Sequence, residues 1–447
     1  MPARLARAPF ALLLALTALA LGTVPAGAAS ERLVTVKGGP AEGPSQYDRV
    51  RVIQVGKRSA RRVLVLVPGQ MGGAGSLRLI AHDIADRLKD FQVWAIDRRT
   101  NAFEDTTGFG TGDPDRAFDY YLNGGSIDGR QHRPVQGRDV PFVRSWGLEV
   151  SVEDVRRVVS AARKGGRQVV LGGHSLGAST AVAYASWDFK GRGGYRDLDG
   201  LVAIDGGWFG LPTPSLAAVM RQIEELEKGD PFRDDFRTGL PWATGVVAEL
   251  EGLYARVLPN ERSRLQDFPL IPAAFKPPVP ATNEGFFGYG FDADTGPSES
   301  FDVHVGSLAP EGDPRPWQDG ELLGIQRLAR LFSTEPANFV EWYFPQRLSI
   351  DVFAATRFKR TSVTDFLELR LFHRRRVDVP LFAYQTDLTR GGVLSGARGF
   401  VKASDVPRAT YVEAPGTGHL DPVAAEPARN RFLKTLIPFL KSVRDGR

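Results

Sequence analysis

Gln168-Val-Val-Leu-Gly-Gly-His-Ser-Leu-Gly-Ala-Ser-Thr-Ala-Val-Ala-Tyr184 decides how the rest of the chain is read. Gln168 to Leu171 is a short apolar run suited to a buried strand, and the Ala-rich stretch from Leu176 favours helix. Between them, Gly173-His-Ser-Leu-Gly177 matches G-x-S-x-G. A strand that turns sharply into a helix holds the serine in strained backbone geometry, and glycine at the two flanking positions avoids collisions across that turn. The Ser175 hydroxyl is then pushed out above the sheet, and the Leu176 N–H at the helix N-terminus is free to bind an oxyanion. Ser175 is therefore the candidate nucleophile.

Working outward, β-rich runs at Arg32 to Lys37 and Arg49 to Val55 precede the strongly apolar Val63-Leu-Val-Leu-Val67, which ends in Pro68-Gly69. Leu77, Ile80, Ile84 and Leu88 recur at helical spacing, Phe91 to Ile96 reads as the next strand, and Asp97-Arg98-Arg99 closes it as a structural turn. Thr100 to Arg144, rich in Gly and Asp, reads as a long excursion of loops. A helix over Ser151 to Arg163 and a strand over Leu198 to Ile204 continue the pattern. Strand and helix in alternation predict a mostly parallel sheet with crossover helices on both faces.

The alternation stops after residue 207. Helical patches at Val246 to Val257, Glu321 to Phe332 and Thr364 to Phe372 are separated by Pro- and Gly-rich stretches, notably Pro259 to Pro280 and Gly285 to Pro297. The sheet pattern resumes with Val379 to Tyr384, Ala409 to Glu413 and an amphipathic helix from about Pro427 to Val443. The expected organisation is a core of 29–207 and 378–447 with 208–377 inserted as a large, mainly helical cap.

With the elbow, the Pro68-Gly69-Gln70 turn and Gly418-His419 in hand, the chain resembles the α/β-hydrolase superfamily in its esterase and lipase-like branch, over roughly 47–207 and 378–447, about half of its length. The family order of nucleophile, acid and base implies Ser175, then an Asp, then a late His. His419 is the His that follows a late strand-like run, in Ala414-Pro-Gly-Thr-Gly-His419, whereas His174 adjoins the nucleophile and reads as structural. Asp387, after Pro380 to Thr386, resembles the acid-bearing turn; Asp205, ending Leu201 to Ile204, is the alternative. By the same resemblance the second oxyanion donor is the Gln70 N–H, with Met71 as fallback. The implied activity is hydrolysis of a carboxylic ester, of a small-molecule or lipid-like and fairly hydrophobic kind, by a Ser-His-Asp triad through an acyl-enzyme, with no metal or organic cofactor required. An amidase, peptidase or acyltransferase would share the triad; a non-enzymatic binding protein on this fold is the reading from another class. Phe286, Phe287, Tyr289, Phe291, Trp342, Tyr343 and Phe344 in the insertion suggest an apolar lining or the insertion's own core, with Phe286 and Phe287 expected at an exposed cap surface.

Composition bounds the rest. The 447 residues are 42% hydrophobic and 24% charged, a globular balance, and contain no Cys, which excludes thiol catalysis and disulfides. Residues 1–28 read as a secretory signal peptide: Arg4 and Arg7, an apolar run from Phe10 to Leu21, and Ala26-Gly-Ala28 as cleavage site, so a secreted or periplasmic location is expected. Losing Arg4 and Arg7 lowers the formal net charge from +5 to +3, which points to no nucleic acid partner. No later stretch is long and apolar enough to span a membrane. Asp292-Ala-Asp294 with Glu299 lacks the full calcium-loop frame and reads as solvated loop acids. His373-Arg-Arg-Arg376 reads as a solvated charge run, and Asp421 as the N-cap of the final helix.

Overall fold

The computed structural model describes residues 29–235, 238–334 and 339–444. The expected signal peptide, 1–28, lies outside the described residues. Eight strands form one sheet: β1 (Glu31–Lys37), β2 (Arg49–Val55), β3 (Arg62–Val67), β4 (Phe91–Ile96), β5 (Gln168–His174), β6 (Gly200–Ile204), β7 (Leu381–Gln385) and β8 (Ala409–Glu413), in the order β1-β2-β4-β3-β5-β6-β7-β8. The pairs β1–β2 and β2–β4 are antiparallel, and every pair from β4 to β8 is parallel.

Burial follows position in that order. Every residue of β4, β6 and β7 is buried, which requires cover on both faces and explains their largely apolar sequences, Gln92 and Gln385 being the polar members. β1 alternates exposed and half-buried residues, as an edge strand does. The cover comes from α1 (Arg78–Arg87), α3 (Leu148–Ala162), α4 (Leu176–Ser186) and α13 (Arg431–Arg444), with α1 packed on α13 and α3 on α4.

The excursion after β4 is more ordered than its composition suggests. It holds α2 (Pro114–Leu122), whose N-cap Asp113 accepts from the Asp115 and Arg116 N–H groups, with Pro114 opening the helix. Its buried face (Ala117, Phe118, Tyr120, Tyr121) joins Trp242, Trp342 and Tyr343 in a second, aromatic core. Between β6 and β7 the described residues contribute no strand to the large sheet and form α5 (Leu216–Lys228), α6 (Ala243–Val257), α7 (Asn283–Phe291), α8 (Ile325–Phe332), α9 (Gln346–Ala354) and α10 (Ser362–Phe366). Helix α7 replaces the expected linker near Gly285: Thr282 caps it and its phenylalanines are buried, Phe286 and Phe287 at 2% and 0% exposure, while Tyr289 is half-buried. These two side chains are core, not an exposed cap surface, and so are Phe291, Trp342, Tyr343 and Phe344. Asp292 is likewise buried, accepting from the Asp294, Val305 and Gly306 N–H groups.

Asp421 does not cap the final helix. It opens the four-residue α12 (Asp421–Ala424), which follows α11 (Gly392–Lys402) and β8, while Asn430 accepts from the Leu433 N–H at the start of α13. Among the described residues, no helix is long and apolar enough to cross a membrane.

Candidate active site

Ser175 sits between β5 and α4 with φ 54° and ψ −125°, a positive-φ conformation unusual outside glycine. The flanking glycines are dictated by contact: a Cβ at Gly173 would run into Gly177 and one at Gly177 into the Val67 and Pro68 carbonyls. Leu176 is the first residue of α4, so its N–H has no acceptor one turn earlier. Strand β6 ends beside β5, with Ile204 paired to His174, and its O accepts from the Ser175 N–H at 2.9 Å. Asp205, at φ 43°, therefore follows its strand at the same edge where Ser175 follows its own.

His419 lies in the loop after β8, 3% exposed, and its Nδ1 is 2.5 Å from Asp205 Oδ2. Because a carboxylate accepts, Nδ1 carries the proton and Nε2 keeps its lone pair. Asp205 also accepts from the Thr386 N–H at 2.8 Å and from the Thr386 hydroxyl. Burial pushes the Asp205 carboxyl up, but the bonds from His419 and Thr386 outweigh it and hold the group below its ordinary value.

The expectation that Asp387 serves His419 is corrected by this geometry. Asp387 is exposed, and its Oδ2 accepts from the Gly416 N–H at 2.7 Å. The reason is alternation at the end of β7: Thr386 turns inward to Asp205, so its neighbour turns outward. Asp387 thus braces the loop that carries His419 without reaching the imidazole.

Further contacts fix that loop. His174 Nε2 donates to the His419 O at 2.9 Å, and burial, with His419 beside it, holds the His174 ring well below its usual pKa, which suits the structural role read from sequence. Asp302 accepts from the His419 N–H at 2.5 Å, and Asp421 accepts from the Gly418 N–H at 2.7 Å and from the His304 ring at 2.6 Å. The bond to Asp421 raises His304 to about 9, and burial raises Asp302 to about 6. Asp302 and His304 belong to the segment between β6 and β7; nothing in their sequence spacing announced this role.

The Pro68 to Gly72 loop passes close to the elbow, since a Cβ on Gly69 would lie 3.1 Å from Ser175 Cβ. Arg98 organises it: Nη2 donates to the Pro68 and Gly69 carbonyls at 2.7 and 2.8 Å, and Nη1 to the Gly72 carbonyl at 3.0 Å and Glu341 at 2.6 Å. A trans peptide points its C=O and N–H in opposite directions, so drawing the Gly69 carbonyl to Arg98 turns the Gln70 N–H away from it. The structural reading of Asp97-Arg98-Arg99 gains a specific content here.

Gln70, Ser175, Leu176 and His419 line one cavity of 770 Å³. Its aromatic walls are Phe209, Phe275, Phe301, Phe339 and Phe353, not the aromatics that sequence singled out. The described residues contain no group of three His, Asp or Glu side chains placed to hold a metal ion.

A serine elbow at the carboxyl edge of a mostly parallel sheet, with a histidine and an aspartate joined beside it, settles the architecture. The fold is that of the α/β-hydrolases. No protein-family model matches the chain, and no curated protein matches its sequence. Among solved structures, this chain is similar to a lipase-like protein from Sulfolobus solfataricus, with 18% identity over 92% of this chain and 94% of that one and a TM-score of 0.49. It is also similar to epoxide hydrolase A from Mycobacterium thermoresistibile, with 14% identity over 92% and 98% and a TM-score of 0.44. A haloalkane dehalogenase variant from Bradyrhizobium elkanii follows at 12% identity over 93% and 98%, with a TM-score of 0.41. These likenesses are too distant to carry an activity to this chain.

Proposed function

We propose that this protein is a serine hydrolase of carboxylic esters. The observation that carries the reading is the Asp205–His419 pair at 2.5 Å on the sheet edge where Ser175 occupies its strained elbow. His419 Nε2 takes the Ser175 proton as Oγ attacks the ester carbonyl, and the Asp205 carboxylate stabilises the imidazolium that forms. The Leu176 and Gln70 N–H groups receive the tetrahedral oxyanion. His419 then returns the proton to the leaving alcohol, and water repeats the sequence on the acyl-enzyme. The aromatic walls of the cavity favour a substrate with an apolar acyl or alcohol part. Residues 208–377 act as a cap over the core, and 1–28 as an export signal.

Ser175→Ala should lower turnover of a small activated ester by several orders of magnitude while leaving the melting temperature near that of the wild type. Near-normal turnover in the folded variant would remove the proposal.

A further inference from the structure

Glu251 lies in the middle of α6, 7% exposed, with burial as the one cause acting on its carboxyl: no hydrogen bond or ion pair offsets it among the described residues. Thr244, Val247, Ala248 and Glu251 recur at helical spacing and present one face to a side pocket of 40 Å³. The opposing wall is apolar, built from Ile271, Phe275, Phe291, Phe301 and Val340. Phe275 and Phe301 also line the 770 Å³ cavity that holds Ser175, so the side pocket adjoins the active site across these two rings.

A buried acid normally has a structural partner, because an unpaired carboxyl in apolar surroundings costs stability. Glu251 has none among the described residues, and burial raises its pKa to about 8. Glu251 lines the pocket together with Phe275, Phe291 and Phe301, aromatic side chains of the kind that attract a cation. A small cation entering such a space needs a counter-charge, and among the described residues Glu251 is the one ionisable group on the pocket wall.

We propose that the side pocket is a binding subsite for a protonated amine, with Glu251 as the residue that selects substrates or ligands bearing an ammonium group at the end of an apolar chain. On binding, the carboxylic proton of Glu251 passes to solvent buffer and the carboxylate pairs with the ammonium, so net charge in the pocket stays near zero. The inference rests on the reading of the adjoining cavity as the substrate site, but its test uses no turnover.

The experiment is calorimetric titration of the Ser175→Ala protein with n-alkylammonium chlorides of four to eight carbons, beside the n-alcohols of the same lengths. The expected result is at least tenfold tighter binding of one or more ammonium ions than of the matched alcohol, with proton release at pH 7 visible as a dependence of the heat on buffer. Adding Glu251→Gln should abolish both the preference and the proton release. Equal binding of ammonium and alcohol, or a preference that survives Glu251→Gln, would overturn the proposal. If the double variant does not fold, the ammonium–alcohol comparison and the proton release in the single variant decide it. Failure here with Ser175 still reactive would leave the hydrolase reading standing.

Discussion

Asp205→Asn removes the charge from the carboxyl that meets His419 Nδ1 at 2.5 Å while keeping its shape. When His419 becomes cationic in the transition state, the wild-type carboxylate stabilises it; with charge centres about 4 Å apart and an effective dielectric of about 20, that attraction is about 4 kcal/mol. Lost from the barrier, it slows the chemical step by roughly a thousandfold, and a misplaced amide that fixes the wrong imidazole tautomer extends the loss toward 10⁴. Asp205 is fully buried and also holds Thr386, so Asn must be shown to fold. The assay is steady-state hydrolysis of a p-nitrophenyl ester at pH 7.5, with thermal melts of each variant. Asp387→Asn is the matched control: it weakens one exposed contact to the Gly416 N–H and should cost tenfold or less. A folded Asp205→Asn protein with most of its activity, beside a folded but inactive Asp387→Asn protein, would assign the acid to Asp387 instead.

Three further outcomes follow from particular contacts. Arg98→Lys cannot reach the Pro68, Gly69 and Gly72 carbonyls together, so kcat should fall about 10- to 100-fold with a smaller change in KM; Arg98→Ala, which leaves the buried Glu341 without its cation, should also cost about 3 to 5 kcal/mol in denaturant unfolding. The Glu251 carboxyl, raised to about 8 from 4.5, favours the fold fully below pH 4.5 relative to its charged form, and this is lost as pH rises through 8. Glu251→Gln should therefore gain on the wild type across that window, by up to about 5 kcal/mol, and a difference constant with pH would contradict the burial argument. Phe275→Ala and Phe301→Ala, at half-buried cavity walls, should shift preference among acyl lengths of p-nitrophenyl esters more than they change kcat on the acetate, whereas equal loss on every ester would assign them a structural role.

The buried strands could be read from sequence because β3 to β7 are apolar on both faces and end in turns, and the elbow because only glycine fits at 173 and 177. His419 was legible from its place after a late strand. Asp205 and Asp387 were equivalent as letters, since both close strands; what separates them is that β6 abuts β5 and that Thr386 occupies the inward position. Helix α2 was hidden because its Gly- and Asp-rich surroundings mask one short apolar face, and α7 because Gly285, Gly288 and Gly290 resemble linker composition. Gly285 and Gly288 are needed where Arg315 and Trp317 pack against the helix. The roles of Arg98, Asp302 and Asp421 depend on contacts between distant segments, which no local pattern encodes.

The central claim is that Ser175 is a nucleophile activated by His419 and Asp205. A fluorophosphonate probe, followed by proteolysis and peptide mapping by mass spectrometry, tests it most directly. A single covalent adduct is expected on the peptide containing Gly173-His-Ser-Leu-Gly177, located at Ser175, absent in Ser175→Ala and strongly slowed in Asp205→Asn. Labelling at another residue, or a folded wild-type protein that takes up no probe, would contradict it.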